Sequence, residues 1–453
     1  MSRSLVPRSL GLWVNGIRVG TWSQHRPRED ILEYDVDWVN ANEAWPLSLS
    51  LPFLPGNASH HGQVVSAYFE NLLPDSWDIR VRLAGRYKVD PGSSFELLEQ
   101  IGRDCVGALQ ILPDGVVPLD VRSIDATPLA ESEVAKLLRN AVAPGGYPNG
   151  SYQDVDDFRI CIAGAQEKTA LLFADGRWCK PHGSTPTTHI LKLPMGLVGN
   201  MRADMSASVE NEWLCSLILR EFGLPVAQAS PMQFEEVKVL SVERFDRQWD
   251  HNSDGTSWVS RLAQEDFCQA TGTPPSLKYE ADGGPGMGQI MRVLEGSASN
   301  ERDRRIFFQA QVLFWMLAAT DGHAKNFSLV LHAGGRYELT QLYDVLSAYP
   351  VLGGGSNQIS PHKAKMAMAM RSKNVHWKIR DVLRRHLDVV GTAYGICTPD
   401  GRGVCSIIDE LIERTPRVVQ VVSEQLPSDF PHHLADGIFD GLQAAAQRLA
   451  ISG

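Results

Sequence analysis

One short loop of the chain reads Ala318-Ala319-Thr320-Asp321-Gly322-His323-Ala324-Lys325-Asn326-Phe327-Ser328. It follows an apolar segment with helical periodicity and precedes a segment rich in strand-forming residues. Asp321 and Asn326 are five residues apart, so a single loop can present a carboxylate and an amide oxygen together. The same pattern is also compatible with a turn in which both side chains bond their own backbone.

A second carboxylate follows eighteen residues after Asn326, where Tyr343-Asp344 comes after a predicted hairpin. Asp321, Asn326 and Asp344 then have the spacing and placement of the catalytic-loop and metal-binding residues of protein kinases. Phosphoryl transfer requires a positioned acceptor and cations spread over the phosphate oxygens, and such a set supplies both. Val345-Leu346 replaces the Phe-Gly that usually follows the metal-binding aspartate, so ordinary activation-loop regulation is not expected.

Two upstream segments carry groups suited to phosphate. Lys192 lies within the apolar strand pattern His189–Leu193, where its ammonium needs an anionic partner if it is buried. The alternative is a lysine at a strand edge whose head reaches water. Residues 163–168 (Ala163-Gly164-Ala165-Gln166-Glu167-Lys168) lie between two predicted strands, and the small residues allow close backbone approach to a phosphate. They do not form a Walker A motif.

Composition and charge restrict the class of protein. The 453 residues are about three times a typical domain of ~150, and 43% hydrophobic with 21% charged residues excludes fibrous and disordered classes. A net charge of -10 argues against a nucleic-acid coat or a polybasic membrane-surface protein. Seven cysteines without a CxxC pair favour a reducing compartment, and the longest apolar stretch, Ile306–Thr320, is too short to span a bilayer. We therefore expect a cytoplasmic protein with no membrane partner.

The order of predicted elements indicates an α+β fold in three parts. These are a small N-terminal α+β subdomain (1–115), a strand-rich nucleotide-binding lobe (116–255) and a helical catalytic lobe (256–453). Asn15-Gly16 between two apolar runs predicts an opening β-hairpin, and the alternation in Leu47–Leu51 predicts a further strand. Ser208–Phe222, followed by Gly223 and Pro225, predicts a helix. The expected architecture is a two-lobed protein-kinase-like fold with the added subdomain.

Taken together, the motifs strongly resemble those of the HipA serine/threonine kinase toxins, over nearly the full length. The segments that carry the resemblance are Asn71–Ser76, Gly102–Ala108, Phe158–Leu172, Thr187–Pro194, Val242–Arg247, Gln264–Asp266, Asp282–Gly286, Asp321–Asn326 and Tyr343-Asp344. The resemblance implies ATP and Mg²⁺ as cofactors, Asp321 as the catalytic base, and Asn326 and Asp344 as the metal ligands.

The resemblance also implies a set of nucleotide contacts. In it, Lys192 would neutralise the α- and β-phosphates, and the backbone of residues 243–245 would form the hinge that bonds adenine. The full set is Ala163, Gly164, Ala165, Gln166, Glu167, Lys168, Lys192, Glu243, Arg244, Phe245, His323, Lys325, Asn326, Tyr343 and Asp344.

One position departs from the family. In well-known members a serine precedes the Val/Ile-Ala-Gly of the phosphate loop, and its phosphorylation ejects that loop and inactivates the kinase. Here the position is Cys161, whose thiol is not a normal phosphate acceptor. We expect that the chain lacks this off-switch or uses another hydroxyl, such as Ser151 or Thr169, or that the cysteine was introduced.

Gly283-Gly284-Pro285-Gly286 looks like a phosphate loop in isolation. It precedes a predicted helix from about residue 290, which favours a surface loop. We assign it no nucleotide role.

A basic stretch interrupts the acidic chain. Residues 362–386 hold eight Lys or Arg, among them Arg384 and Arg385, against the single acid Asp381. One interpretation is a contact surface for the DNA backbone, with Arg384 and Arg385 as contacts. It would fit the family's association with a DNA-binding, HipB-like antitoxin on operator DNA. The alternative is a solvated helix face, because no base-reading motif is present.

The expected function is transfer of the ATP γ-phosphate to a Ser or Thr of a host protein. The resemblance points to an aminoacyl-tRNA synthetase, best known as glutamyl-tRNA synthetase, whose inactivation would inhibit translation and growth. The same family features imply neutralisation by the antitoxin and autoregulation of transcription with it. The alternatives are a catalytically weak corepressor acting through the antitoxin and DNA, and a kinase of a small molecule.

Overall fold

The computed structural model describes residues 8–26, 29–142, 163–199 and 202–451. The chain forms two compact units. Unit 1 contains Met1–Leu193, Met232–Leu277 and Ser328–Tyr337, and unit 2 contains Pro194–Pro231, Lys278–Phe327 and Glu338–Gly453. Each unit is therefore built from segments that are distant in sequence.

The N-terminal part of unit 1 is a five-stranded sheet with helices beside it. The elements are β1 (Arg8–Val14), β2 (Ile17–Gln24), β3 (Asp30–Tyr34), α1 (Val36–Val39), β4 (His60–His61), α2 (Gln63–Glu70), α3 (Trp77–Tyr87), α4 (Ser94–Ile101) and β5 (Leu109–Pro113). The strand order is β4-β3-β2-β1-β5. The predicted opening hairpin is present, with Asn15 and Gly16 at φ 46° and 85° in the turn.

The core of this subdomain forms around Trp22 on β2. Its ring stacks on Phe69 of α2 with centroids 3.8 Å apart, and it packs at 4.7 Å against Phe95 of α4. The indole N–H donates to Asp30 at 2.9 Å, which satisfies the one polar group of this buried side chain. Apolar burial and this bond together fix both helices on the sheet.

The strand predicted over Leu47–Leu51 is wrong, because no β-ladder forms there. Side chains from other elements satisfy its backbone instead. The Leu47 N–H donates to the Tyr34 hydroxyl at 2.8 Å, and the Leu49 N–H donates to Glu265 at 2.9 Å. Leu47 and Leu51 are buried, but so is Ser48, whereas Leu49 is only partly buried, so burial does not follow the alternation.

The middle of the chain begins with a helix on a sheet. Its elements are β6 (Ala126–Pro128), α5 (Glu131–Val142), β7 (Lys168–Ala174), β8 (Arg177–Pro181), β9 (His189–Lys192), β10 (Gly196–Val198), β11 (Ala203–Met205), α6 (Ser208–Glu221), β12 (Ala229–Phe234), β13 (Val237–Glu243), β14 (Arg247–His251), β15 (Ser257–Arg261), β16 (Gln264–Asp266) and α7 (Phe267–Ala270). One sheet has the order β12-β13-β9-β7-β8-β6. Leu138 of α5 is buried in one cluster with Leu171 of β7 and Leu191 of β9, so packing holds the two central strands in register.

The rest of the chain is mainly helical. Its elements are α8 (Met287–Glu295), α9 (Asn300–Met316), β17 (Ser328–His332), β18 (Arg336–Leu339), β19 (Lys365–Arg371), β20 (Val375–Lys378), α10 (Arg384–Ala393), α11 (Val404–Gln425) and α12 (His432–Ile451). Helix α9 is buried along most of its length, including Phe307, Phe314 and Trp315. Among the described residues, no helix is both long and apolar enough to cross a bilayer.

Glu265 is a carboxylic acid buried inside unit 1, and burial raises its pKa to about 8. The folded protein keeps this proton between its usual pKa of 4.5 and about 8, whereas the unfolded chain releases it. The contribution of this proton to the free energy of unfolding is therefore fully present below pH 4.5 and is lost as the pH rises to about 8. A glutamine keeps the acceptor for Leu49 and cannot ionise.

We expect the free energy of unfolding of Glu265→Gln, taken relative to that of the wild type, to be higher at about pH 8.5 than at about pH 5. The rise should be roughly 1.4 kcal/mol for each unit by which the pKa of Glu265 in the folded protein exceeds that in the unfolded chain. Urea unfolding at both pH values measures this change. Glu295→Gln, at an exposed position of α8, is the control and should show none. The same difference between Glu265→Gln and wild type at both pH values would contradict the prediction.

Candidate active site

The loop after α9 presents Asp321 to solvent while burying the residues around it. The Asp321 side chain is 61% exposed, whereas His323, Lys325 and Asn326 are buried. The His323 N–H donates to the Asp321 carbonyl at 2.8 Å, and the Asn326 N–H donates to the His323 carbonyl at 2.9 Å. The predicted base thus lies at the accessible corner of a rigid turn.

Asn326 ties the two acidic positions of unit 2 together. Its amide N–H₂ donates to the carbonyl of Asp321 at 3.0 Å and to the carbonyl of Asp344 at 3.3 Å. Both bonds use the amide nitrogen, so the amide oxygen is turned away from these carbonyls. Asp344 has φ 61°, a conformation that is uncommon outside glycine and is concentrated at functional sites. The structure therefore brings Asp321, Asn326 and Asp344 together through the backbone carbonyls of the two aspartates.

Neighbouring side chains hold this constellation in place. The Tyr343 hydroxyl donates to the Lys325 carbonyl at 2.9 Å, which joins the two segments a second time. The Phe314 ring of α9 fills the space beside Gly322, where a Cβ would lie 2.5 Å from the ring. Any larger residue at this position would push the loop off the helix.

Unit 1 places two lysines opposite each other on its central strands. Lys168 at the start of β7 is the direct cross-strand partner of Lys192 on β9. Lys192 is only 5% exposed, so its ammonium is largely withdrawn from water. An anion bound beside this pair would interact with two ammonium groups at once. This pair is the feature of unit 1 best suited to phosphate.

The phosphate-loop candidate, residues 163–168, is held by its own strand and by the N-terminal subdomain. Gln166 donates to the Leu193 carbonyl at 2.6 Å, and Lys168 donates to the Ala163 carbonyl at 2.7 Å. From the subdomain, the Asp75 N–H donates to the Gly164 carbonyl at 3.0 Å, and Arg82 of α3 forms an ion pair with Glu167. Ala165 is exposed.

The hinge predicted at residues 243–245 has one of its donors engaged within the protein. The Arg244 N–H donates to the Thr188 carbonyl at 2.9 Å, so it is not the donor for a bound base. Glu243 ends β13 opposite His189 of β9 and is exposed. Glu243 and Phe245 are the other two residues of the predicted hinge.

The Arg244 side chain belongs to a buried network of three arginines and two aspartates. Arg244, Arg247 and Arg261 lie 3.2, 2.9 and 3.2 Å from the carboxylate of Asp104, and Arg244 lies 2.8 Å from that of Asp246. Burial alone would raise the pKa of Asp104, but Arg247, Arg244 and Arg261 outweigh it and hold that pKa well below its usual value. Both carboxylates are therefore ionised.

This network joins the N-terminal subdomain to the hinge. Asp104 also accepts from the Thr187 N–H at 3.1 Å and hydroxyl at 2.7 Å, next to the Thr188 carbonyl that bonds Arg244. Asp246 accepts from the Gly107 N–H at 2.7 Å. The segment Gly102–Ala108 therefore contacts Thr187, which precedes β9, and Asp246, which follows the predicted hinge.

Sequence reasoning missed several of these residues. The partners of Asp104, Asp75 and Arg82 lie far along the chain. Asp104 and Asp75 were noted only as members of segments that resemble the family, and Arg82 was not noted. Tyr279 was also missed, and its hydroxyl donates to the Asp321 carboxylate. The sequence feature that could have identified Tyr279 is its position just before Asp282–Gly286, a segment that resembles the family but has no predicted role.

Three further predicted features differ in what the structure shows of them. Cys161 and Ser151, named for the off-switch, lie outside the described residues, and Thr169 is buried on β7. Within the basic stretch, Arg385 is exposed, but Arg384 is largely buried and pairs with Asp409 at 2.6 Å and Asp388 at 3.7 Å. Arg385 is therefore the better candidate for a DNA contact.

Pro285 and Gly286 are buried, so the predicted surface loop is exposed only in its first part.

We expect Asp104→Asn to lower the free energy of unfolding by about 3–5 kcal/mol, because it leaves three buried arginines with one carboxylate. The matched control is Asp30→Asn, a buried aspartate whose partners, including Trp22 and Gln24, are uncharged. Chemical denaturation of both variants measures the difference. Equal losses in the two would show that charge pairing contributes nothing beyond hydrogen bonding.

The chain is similar to known proteins over most of its length. Residues 10–112 match the HipA N-terminal domain, and residues 160–419 match the HipA-like C-terminal domain. A putative kinase, Y4mE of Sinorhizobium fredii, is 31% identical over 444 residues, covering 95% of this chain and 97% of that protein. The serine/threonine-protein kinase toxin HipA of Shewanella oneidensis is 27% identical over 334 residues, covering 70% and 69%.

A solved complex of Shewanella oneidensis HipA, HipB and its operator DNA contains a chain of the same fold. The TM-score is 0.75 at 22% identity, with 97% of both chains covered. This confirms the predicted α+β fold class with its N-terminal subdomain. Because the C-terminal domain match alone covers more than half of the sequence, the chain belongs to the HipA family.

Proposed function

We propose that this protein is a serine/threonine-protein kinase toxin that transfers the γ-phosphoryl group of ATP to a hydroxyl of a host protein. The arrangement of Asp321, Asn326 and Asp344 carries the proposal. It presents one exposed carboxylate beside an amide and a second acidic residue on a buried, rigid support. Phosphoryl transfer depends mainly on such positioning and on charge stabilisation.

In this proposal Asp321 orients the acceptor hydroxyl and takes its proton. The acceptor oxygen forms a bond to the γ-phosphorus, and the bond from that phosphorus to the bridging oxygen of ADP breaks, with its electron pair leaving on ADP. The hydroxyl proton passes to the Asp321 carboxylate. Lys192, Lys168 and the backbone of residues 163–168 neutralise and hold the phosphates, and the hinge at residues 243–245 holds adenine.

Asn326 and Asp344 are suited to Mg²⁺. An amide oxygen and a carboxylate are the hard oxygen ligands that this ion prefers, and it commonly takes only one or two protein ligands beside phosphate oxygens and water. The bonds from the Asn326 nitrogen to two carbonyls leave its oxygen as the ligand atom. When bound, Mg²⁺ would neutralise charge on the phosphate oxygens.

The relatives support the assignment to a toxin kinase of a toxin-antitoxin system. A homologue is a serine/threonine-protein kinase toxin, and a solved structure of this fold is in complex with HipB and operator DNA. We infer that the target is an aminoacyl-tRNA synthetase such as glutamyl-tRNA synthetase. Its inactivation would inhibit translation, and a HipB-like antitoxin would neutralise the toxin and bind the operator with it.

Radiolabelled ATP incubated with host lysate tests the kinase. We expect the wild type to label a protein band and Asp321→Asn to lose at least about 10²-fold of the rate, as expected for loss of an acid–base group. Label only in small molecules would favour the small-molecule kinase, and no transfer by the wild type would favour the corepressor. Either result would refute the proposal.

The basic stretch supports a DNA contact within the antitoxin complex. Lys363, Lys365, Lys373, Arg380 and Arg385 are exposed on or beside β19, β20 and α10. Each phosphate contact releases about one counterion and adds about 0.9 to the slope of affinity against salt on logarithmic axes. Exposed cations on one short stretch would add such contacts without reading sequence.

We therefore expect Arg385→Ala to weaken operator binding by the complex with its antitoxin and to reduce the salt slope by about one. Fluorescence anisotropy at several salt concentrations measures both. Arg417→Ala, at an exposed arginine of α11, is the control and should change neither. Equal slopes for wild type and Arg385→Ala would reject this contact.

A further inference from the structure

The predicted base has a partner that the proposed mechanism does not use. The Tyr279 hydroxyl donates to Oδ1 of Asp321. The Tyr279 ring packs edge-on against His323 with centroids 5.0 Å apart. A side chain that is 61% exposed, as that of Asp321 is, samples several rotamers unless something holds it. The phenol supplies such a restraint.

A backbone hydrogen bond connects the peptide before Tyr279 to the loop that carries Asp321. The Ala324 N–H donates to the carbonyl of Lys278 at 3.4 Å. The peptide preceding Tyr279 therefore contacts the same turn that carries Asp321. The tyrosine and the base move together with that turn.

Glu280 anchors the other side of Tyr279. Its side chain is 7% exposed, and it accepts from Arg371 at 2.6 Å and from the Ala369 N–H at 2.7 Å, both on β19. An ion pair supported by a backbone donor fixes the carboxylate in one orientation. The segment that carries Tyr279 is thus attached to a strand as well as to the catalytic loop.

The glycine-rich run Gly283-Gly284-Pro285-Gly286, which has no predicted nucleotide role, leaves space for the Glu280 side chain. A Cβ on Gly286 would lie 2.2 Å from the carboxyl carbon of Glu280. Gly286 has an extended backbone (φ -101°, ψ -178°) that any residue can adopt, so space and not conformation requires glycine here. The buried end of Gly283-Gly284-Pro285-Gly286 is where the Glu280 carboxylate fits.

From these contacts we propose that Tyr279 is a positioning residue for the catalytic base. Its hydroxyl holds Oδ1 of Asp321 so that Oδ2 is directed at the acceptor hydroxyl. A carboxylate has about four lone-pair sites, so one donor on Oδ1 leaves Oδ2 able to accept the proton. The proposal rests on Asp321 being the base of the proposed kinase.

Tyr279→Phe removes the hydroxyl and keeps the ring against His323. We expect kcat for label transfer to lysate protein to fall at least about tenfold, because a hydrogen bond to a charged group is lost. The KM for ATP should stay unchanged, since the nucleotide contacts are not altered. Initial rates at varied ATP concentration separate the two parameters.

Tyr349→Phe is the matched control. The Tyr349 hydroxyl donates to the Met316 carbonyl at 3.0 Å in the same unit, away from Asp321. Its loss should leave kcat unchanged. In an Asp321→Asn background, Tyr279→Phe should cause no further loss, because the tyrosine acts only through that carboxylate.

The outcomes separate this inference from the proposed function. If Asp321→Asn transfers label like the wild type, the proposed function fails and the positioning role fails with it. If Asp321→Asn is inactive but Tyr279→Phe has the wild-type kcat or a higher one, only the positioning role fails. A rise would mean that the phenol blocks the base.

A second variant tests the anchor. Gly286→Ala should displace Glu280 and lower kcat in the same direction as Tyr279→Phe, again without a change in the KM for ATP. Thermal unfolding of the variant confirms that it is folded. A folded Gly286→Ala protein with wild-type kcat would refute the role of Glu280.

Discussion

Unit 1 of this protein depends on one interaction, a buried cluster of three arginines and two aspartates. An isolated guanidinium in a protein interior is very unfavourable, and Arg244, Arg247 and Arg261 are tolerated only because carboxylates lie within 3.2 Å. One of those carboxylates, Asp104, comes from the N-terminal subdomain. The subdomain therefore supplies a counterion to all three arginines beside the predicted hinge.

The same subdomain also touches the phosphate-loop candidate. Asp75 bonds the Gly164 carbonyl, and Arg82 pairs with Glu167. Two short motifs of the subdomain, Asn71–Ser76 and Gly102–Ala108, thus contact the two segments assigned to phosphate and adenine. In unit 2 the support of the candidate site is local, because the Asn326 amide bonds the backbone carbonyls of Asp321 and Asp344 directly. In both units the reactive side chains are carried by backbone that other residues immobilise.

How far the sequence predicts this arrangement depends on the distance between partners along the chain. Asp321, Asn326 and Asp344 could be found because their relation is expressed as spacing around one hairpin. The Tyr279 contact with Asp321 spans 42 residues, and the Asp104 contact with Arg244 spans 140, and no local pattern encodes either. Leu47–Leu51 was predicted as a strand from its alternation, but alternation does not encode what satisfies the backbone, and the fully buried Ser48 does not follow it. Composition likewise showed the basic stretch but not that Arg384 pairs with Asp409.

The position of Asp104 also bears on the order in which the protein is made. Synthesis proceeds from the N-terminus, and domains fold largely as units as they emerge. The carboxylate is thus translated before Arg244, Arg247 and Arg261, and the subdomain that carries it can already be folded when they leave the ribosome. Each arginine can then pair with a carboxylate that is already in place. Besides supporting the hinge, the subdomain can serve as a template on which the later lobe completes its folding.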